Sequence, residues 1–186
     1  MLANISNRFY KWAKGWLVLV LLILYMFFSG FLMPLIQDMM QDGQGGVLPL
    51  DLMPFSKPDK LFAMMDRYGE YGLPFYRNIE LTVDIVYPVV YLLFYGLLIS
   101  WLFERGFAAQ SPMRKLNIMP LGAWFCDLIE NAFIVSLIAI YPAQPIILGW
   151  VIAALTTIKW TFAGSSILLA LIGLVAALKN KFRKQG

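Results

Sequence analysis

Asp127, Glu130 and Asn131 stand inside a stretch, Pro120 to Ile140, that otherwise reads as hydrocarbon. At helical pitch they fall at i, i+3 and i+4 and share one face with Trp124, about 120° wide. Two carboxylates and an amide on one face of an apolar helix can hold a cation, pass a proton, or pair with a basic side chain from another helix. They cannot look at lipid, because a charged side chain near the centre of a bilayer costs roughly 3 kcal/mol or more. The other apolar stretches must therefore bring polar partners to this face.

Two of them carry such partners. Between Phe75 and Phe103, the residues Arg77, Glu80, Asp84, Tyr87, Tyr91 and Tyr95 follow one another at steps of three and four. On a helix they cover an arc of about 100°, ionisable at the first end and phenolic towards the second. Pro88 shares that face and has no N–H for the carbonyl of Asp84 one turn earlier, so a kink is expected beside the acids. Between Ile146 and Leu178 the single full charge is Lys159. It shares its face with Thr156, Ala163, Ser166, Ala170 and Gly173, small residues that let a helix of this chain or of a second copy come close.

Counting residues inward from the ends of each stretch puts Asp84 and Glu130 near the midplane, with Asp127 and Lys159 just inward. Glu80, Asp84, Asp127 and Glu130, all ionised against Arg77 and Lys159, would leave an uncompensated negative charge. Such a cluster calls for a proton or a bound cation. The plainer reading is a set of fixed ion pairs, Arg77 with Glu80 and Lys159 with Asp127 or Glu130, that only sets helix register, with Asn131 bonding across helices.

Composition says what kind of molecule carries these residues. In 186 residues, 60% are hydrophobic and 14% charged, with a mean hydropathy of +0.70, which belongs in a bilayer. The net charge of +4 comes from basic residues that flank apolar runs, a topology signal rather than a nucleic-acid surface. Histidine is absent and Cys126 is the one cysteine, which removes the commonest acid/base group and transition-metal ligand as well as an intrachain disulfide. No glycine-rich phosphate loop, nucleophile elbow or heptad run is present. The acids could suit magnesium or calcium, but Lys159 among them counts against it, and neither metal nor cofactor is expected.

In chain order, Arg8, Lys11 and Lys14 with Tyr10, Trp12 and Trp16 lead into a first apolar run. That run is too long for a signal peptide and lacks a small-residue cleavage site. The expected fold is all-α, a four-transmembrane-helix bundle in a single domain 1–186, with spans at about 17–36, 75–103, 120–140 and 146–178. The extracytoplasmic loop 37–74 opens with Gly43, Gly45 and Gly46. It then carries a short amphipathic surface helix, capped by Ser56 and Asp59, with a stripe of Leu61, Phe62, Met65 and Tyr68 ending at Gly69 and Gly72. Basic residues at the N-terminus, at 104–115 and at Lys179, Lys181, Arg183 and Lys184 put both termini in the cytoplasm and the protein in the inner membrane.

The surface helix running into Tyr-Gly, the acids of the second span, Asp-x-x-Glu-Asn in the third and the lysine of the fourth resemble a broad group of uncharacterised four-helix bacterial membrane proteins. That resemblance covers most of the chain and implies no activity. The layout is also similar to the emopamil-binding and sigma-two-receptor superfamily, through Glu80 followed by Pro88 and the polar first loop. It implies spans enclosing acids and aromatics that hold a cationic amine or a sterol carbocation. The histidine of its isomerase branch is missing here, so sterol isomerisation does not carry over.

The leading expectation is a protein that binds or moves a lipid or an amphiphilic cationic small molecule. Glu80, Asp84, Asp127 and Glu130 supply charge, Asn131 a hydrogen bond, Tyr87, Tyr91, Trp124 and Trp160 their π faces, while Lys159 competes for the carboxylates. A lipid-modifying enzyme or isomerase, with Glu130 or Asp127 as acid and Asp84 as base, is the first alternative. A scaffold or assembly factor is the second. Membrane lipids are the expected partners, and a second copy could pack on the small-residue face of the fourth span.

Overall fold

The computed structural model describes residues 2–40 and 47–183. Gly43, Gly45, Gly46 and Lys184 lie outside the described residues. Among the described residues the chain is helical, without strands: α1 (Leu2–Trp12), α2 (Gly15–Phe27), α3 (Met33–Met40), α4 (Pro58–Glu80), α5 (Val83–Gly106), α6 (Pro120–Ala139) and α7 (Ile146–Arg183), with short 3-10 turns at Leu50–Leu52 and Pro112–Ile118. Four stretches are long and apolar enough to cross a membrane: Gly15–Met40, Val83–Gly106, Pro112–Ala139 and Ile146–Arg183. In the first, a π-helical turn, Phe28–Leu32, joins α2 to α3. Pro34 has no N–H for the Gly30 carbonyl, and the helix meets that gap with a wider turn.

Packing divides the chain into two compact units, Met1–Tyr25 with Val90–Ala123 and Thr161–Gly186, and Met26–Val89 with Trp124–Trp160.

In the first unit, α1 is docked by a polar knot. Ser6 Oγ donates to Asn117 Oδ1 at 2.7 Å, and Asn117 Nδ2 donates to Ser6 O at 3.2 Å and to Ser100 Oγ at 2.8 Å. All three residues are buried, and both N–H donors and the carbonyl oxygen of the Asn117 side chain are engaged. Tyr10 adds a hydrogen bond to Arg114 O at 2.7 Å beneath the Arg114 guanidinium. The small residues of α7 are used inside this unit as well: a Cβ on Gly173 would fall 2.8 Å from the Phe103 ring and 3.0 Å from Leu102 Cβ. At Gly173 the close approach is to the chain's own α5.

In the second unit, the stripe of Leu61, Phe62, Met65 and Tyr68 is buried among Ile134, Leu137 and Ile138 of α6 and Ile152 and Ala153 of α7. Spending an apolar stripe in the core contributes about 1.5–3 kcal/mol per large side chain. Three local expectations are corrected here. The residue before the helix is Lys57, with Pro58 in the first turn, and no side chain caps it, so Ser56 and Asp59 do not form the capping pair. The apolar stripe does end at Gly69, whose φ of 64° breaks the helix, but the chain resumes helical turns to Glu80. The ladder stops only where the Leu81 N–H is shared between the carbonyls of Arg77 and Ile79 and Thr82 Oγ1 bonds Asn78 O at 2.6 Å. The second apolar helix therefore begins at Val83, and Phe75 to Glu80 belong to α4.

Candidate functional site

The second unit holds a buried ammonium with three carboxylates around it. Lys159 Nζ, on α7, is 2.7 Å from Glu130 Oε2, 3.1 Å from Asp127 Oδ1 and 3.4 Å from Asp51 Oδ2. Glu130 and Asp127 come from the same face of α6, as their spacing requires, and both are buried. The Glu130 contact is an ion pair at an angle poor for a hydrogen bond. Its other oxygen faces the Thr156 hydroxyl, one turn before Lys159 on α7, which also lies 2.9 Å from the carbonyl of Ile152. The one hydroxyl proton of Thr156 thus faces two acceptors, the Glu130 carboxylate across the helices and the Ile152 carbonyl on its own.

Asp51 was not anticipated. It sits on the turn Leu50–Leu52 ahead of α4 and reaches Lys159 because that turn is pinned on several sides. Trp160 Nε1 donates to Asp51 O at 2.9 Å, the Tyr76 hydroxyl donates to Asp51 Oδ1 at 3.1 Å and accepts from Leu50 N at 3.0 Å, and Phe55 N donates to Thr157 Oγ1 at 3.0 Å. The available signal was compositional. Asp51 is the one charge in Val47-Leu48-Pro49-Leu50-Asp51-Leu52-Met53, an apolar run inside a loop read as polar.

Asn131 donates to Asp84 O at 2.7 Å. That is the carbonyl which Pro88 leaves without a helical N–H, so the amide of α6 replaces the donor α5 lacks. The Asp84 side chain is half-buried and within electrostatic reach of Asp51, Asp127 and Lys159.

Glu80 is 1% exposed, and neither of its oxygens has a hydrogen bond. The Tyr76 hydroxyl lies close by, but its geometry is spent on Asp51 and Leu50. Burial, then the charges of Asp51 and Asp84, push the Glu80 carboxyl well above its ordinary value of 4.5. Burial likewise pushes Tyr76 well above 10.0. Arg77, the expected partner of Glu80, is exposed on the far side of the helix turn and makes no ion pair with it.

Of the expected aromatic residues, Tyr87, Trp124 and Trp160 lie in the second unit. The Tyr87 ring stacks on Phe28, centroids 5.6 Å apart. Trp124 is half-buried with its Nε1 buried and without an acceptor. Trp160 spends its N–H on the Asp51 carbonyl, and Tyr91 belongs to the first unit. No group of three His, Cys, Asp or Glu among the described residues is arranged to hold a metal ion. The ammonium of Lys159 occupies the place between Asp51, Asp127 and Glu130.

Compared with protein-family models, with curated proteins and with solved structures, the chain matches none of them.

Proposed function

We propose that this chain is a four-span inner-membrane protein with cytoplasmic termini whose second unit binds a cationic amphiphile, an alkylamine or a lipid with an ammonium headgroup. Four helices of sufficient length and apolarity support the membrane assignment. So do the large apolar side chains left exposed along them, among them Leu19, Ile23, Ile147, Leu168 and Val175, which water would not tolerate in such number. Basic residues at both chain ends and at 104–115 support the orientation. With that orientation the first half of α4 lies at the outer surface, its stripe turned into the protein and Lys60, Arg67 and Glu70 turned out.

The observation that carries the ligand assignment is Glu80: a fully buried carboxylate without a donor, beside Asp84 and Asp51, in a cluster where Lys159 already answers to three acids. Five carboxylates surround one ammonium, and the two that Lys159 does not reach, Glu80 and Asp84, are where a second cation is accommodated. An alkyl tail then lies along the apolar helices, and a proton takes the cation's place when the ligand leaves.

One observation favours a second reading. Lys159 engages acids from α6 and from the Leu50–Leu52 turn at once, which is also what a device that locks helix register does. Thermal shift on the purified full chain with dodecylamine and a quaternary alkylammonium separates the two. A ligand at a hundred times its Kd stabilises by about 2.7 kcal/mol. The binding reading expects that gain in the wild type and its loss in Glu80→Gln; an unmoved wild type leaves only the register lock.

A further inference from the structure

Far from the acidic cluster in sequence, the first unit carries a groove of about 620 Å³ where the end of α5 meets the last turns of α7. Its floor is fixed. Asn180 Nδ2 donates to the carbonyls of Arg105 and Gly106 at 3.1 and 3.0 Å, which ties the C-terminus of α5 to α7. One wall is apolar, with Leu174 and Leu178 both left nearly half exposed. The rim is cationic. Arg105 and Lys181 line it against one acid, Glu104, and Lys179 and Arg183 follow on the same exposed helix end.

Arg105 is held rather than free. Its guanidinium stacks on the Trp101 indole, 3.9 Å from the ring centroid, and Nη1 donates to Trp101 O at 2.7 Å. The Glu104 carboxylate is 4.0 Å away, at the limit of an ion pair. A guanidinium has five N–H donors in a rigid fork that fits phosphate oxygens. Here one is spent and the plane is preset by the indole. An indole beside basic side chains at the end of an apolar helix is also the arrangement found at a headgroup level.

We propose that this groove binds one phospholipid with an anionic headgroup, its phosphate on Arg105 and Lys181 and an acyl chain along Leu174 and Leu178. Charge complementarity selects the headgroup and the exposed leucines select a lipid over a soluble anion. The inference uses the membrane assignment but no residue of the acidic cluster, and it stands or falls separately from the ammonium ligand.

Native mass spectrometry of the detergent-purified full chain, with phosphatidylglycerol and phosphatidylcholine of identical acyl chains, tests it. Phosphatidylglycerol should be retained about thirtyfold more than phosphatidylcholine, and Arg105→Gln with Lys181→Gln should bring it down to the phosphatidylcholine level, the scale expected for two interfacial charges. Lys57→Gln with Lys60→Gln, the same charge change elsewhere, should leave retention intact. Equal retention of the two lipids by the wild type overturns the proposal whether or not the double variant folds. So does a melting temperature raised as much by inorganic phosphate as by phosphatidylglycerol.

Discussion

Lys159 Nζ and Glu130 Oε2 stand 2.7 Å apart where Glu130 is wholly buried, and the same ammonium also answers to Asp127 and Asp51. Removing one partner of a buried pair leaves the others uncompensated. Lys159→Met should therefore cost about 3–5 kcal/mol, and adding Glu130→Gln should recover part of it. Unfolding of purified variants in mixed detergent reads both; a single variant as stable as the wild type would show that the ammonium contributes nothing net.

Glu80 gives a pH dependence with a definite sign. Its folded carboxyl is raised above the ordinary 4.5 by burial and by Asp51 and Asp84, with Lys159 opposing. The stability it contributes is fully present below the ordinary value and is lost as pH rises through the raised one. Glu80→Gln cannot ionise, so its melting temperature should fall less than that of the wild type between pH 5 and pH 9, on the order of several degrees less. Parallel melting curves for the two proteins would contradict the buried, donor-free placement.

Asn131 and Pro88 make a testable pair, because one supplies the hydrogen bond the other forbids. Asn131→Leu should cost about 1–3 kcal/mol by leaving Asp84 O without a donor. In a Pro88→Ala background the helix supplies its own N–H and the same change should cost markedly less. A double-mutant cycle on thermal stability measures the coupling, and additive effects would refute it.

In the first unit, Asn117→Ala removes hydrogen bonds to Ser6 and Ser100 at once. A loss of about 2–3 kcal/mol is expected, felt first at α1. Limited proteolysis should nick the chain before Gly15 in the variant and spare the wild type; equal resistance would mean that Phe9 and its apolar neighbours hold the helix alone.

The helices and the buried face of α6 were legible because periodicity reports them directly: Asp127, Glu130 and Asn131 fall on one side at any plausible helix boundary. Lys159 was legible as the one charge in a long apolar run, and the orphaned carbonyl of Asp84 followed from Pro88. What was not legible came from long-range contacts. Asp51 meets Lys159 across 108 positions of chain, and nothing in a helical wheel links a loop acid to a helix lysine. Arg77 and Glu80 looked like partners at i and i+3, yet α4 turns one outward and the other inward. The start of α5 was misplaced for the same kind of reason, since Leu81 and Thr82 are ordinary helix residues whose turn is set by the packing on either side. Ser6, Ser100 and Asn117 carry no local signature at all, being three small polar residues that matter only once they meet.

The turn Leu50–Leu52 gives the protein a handle. One of the negative charges that balance its buried ammonium is delivered by a connecting segment and not by one of the four long apolar stretches. A change confined to that segment therefore alters the charge balance around Lys159 while every long helix keeps its sequence.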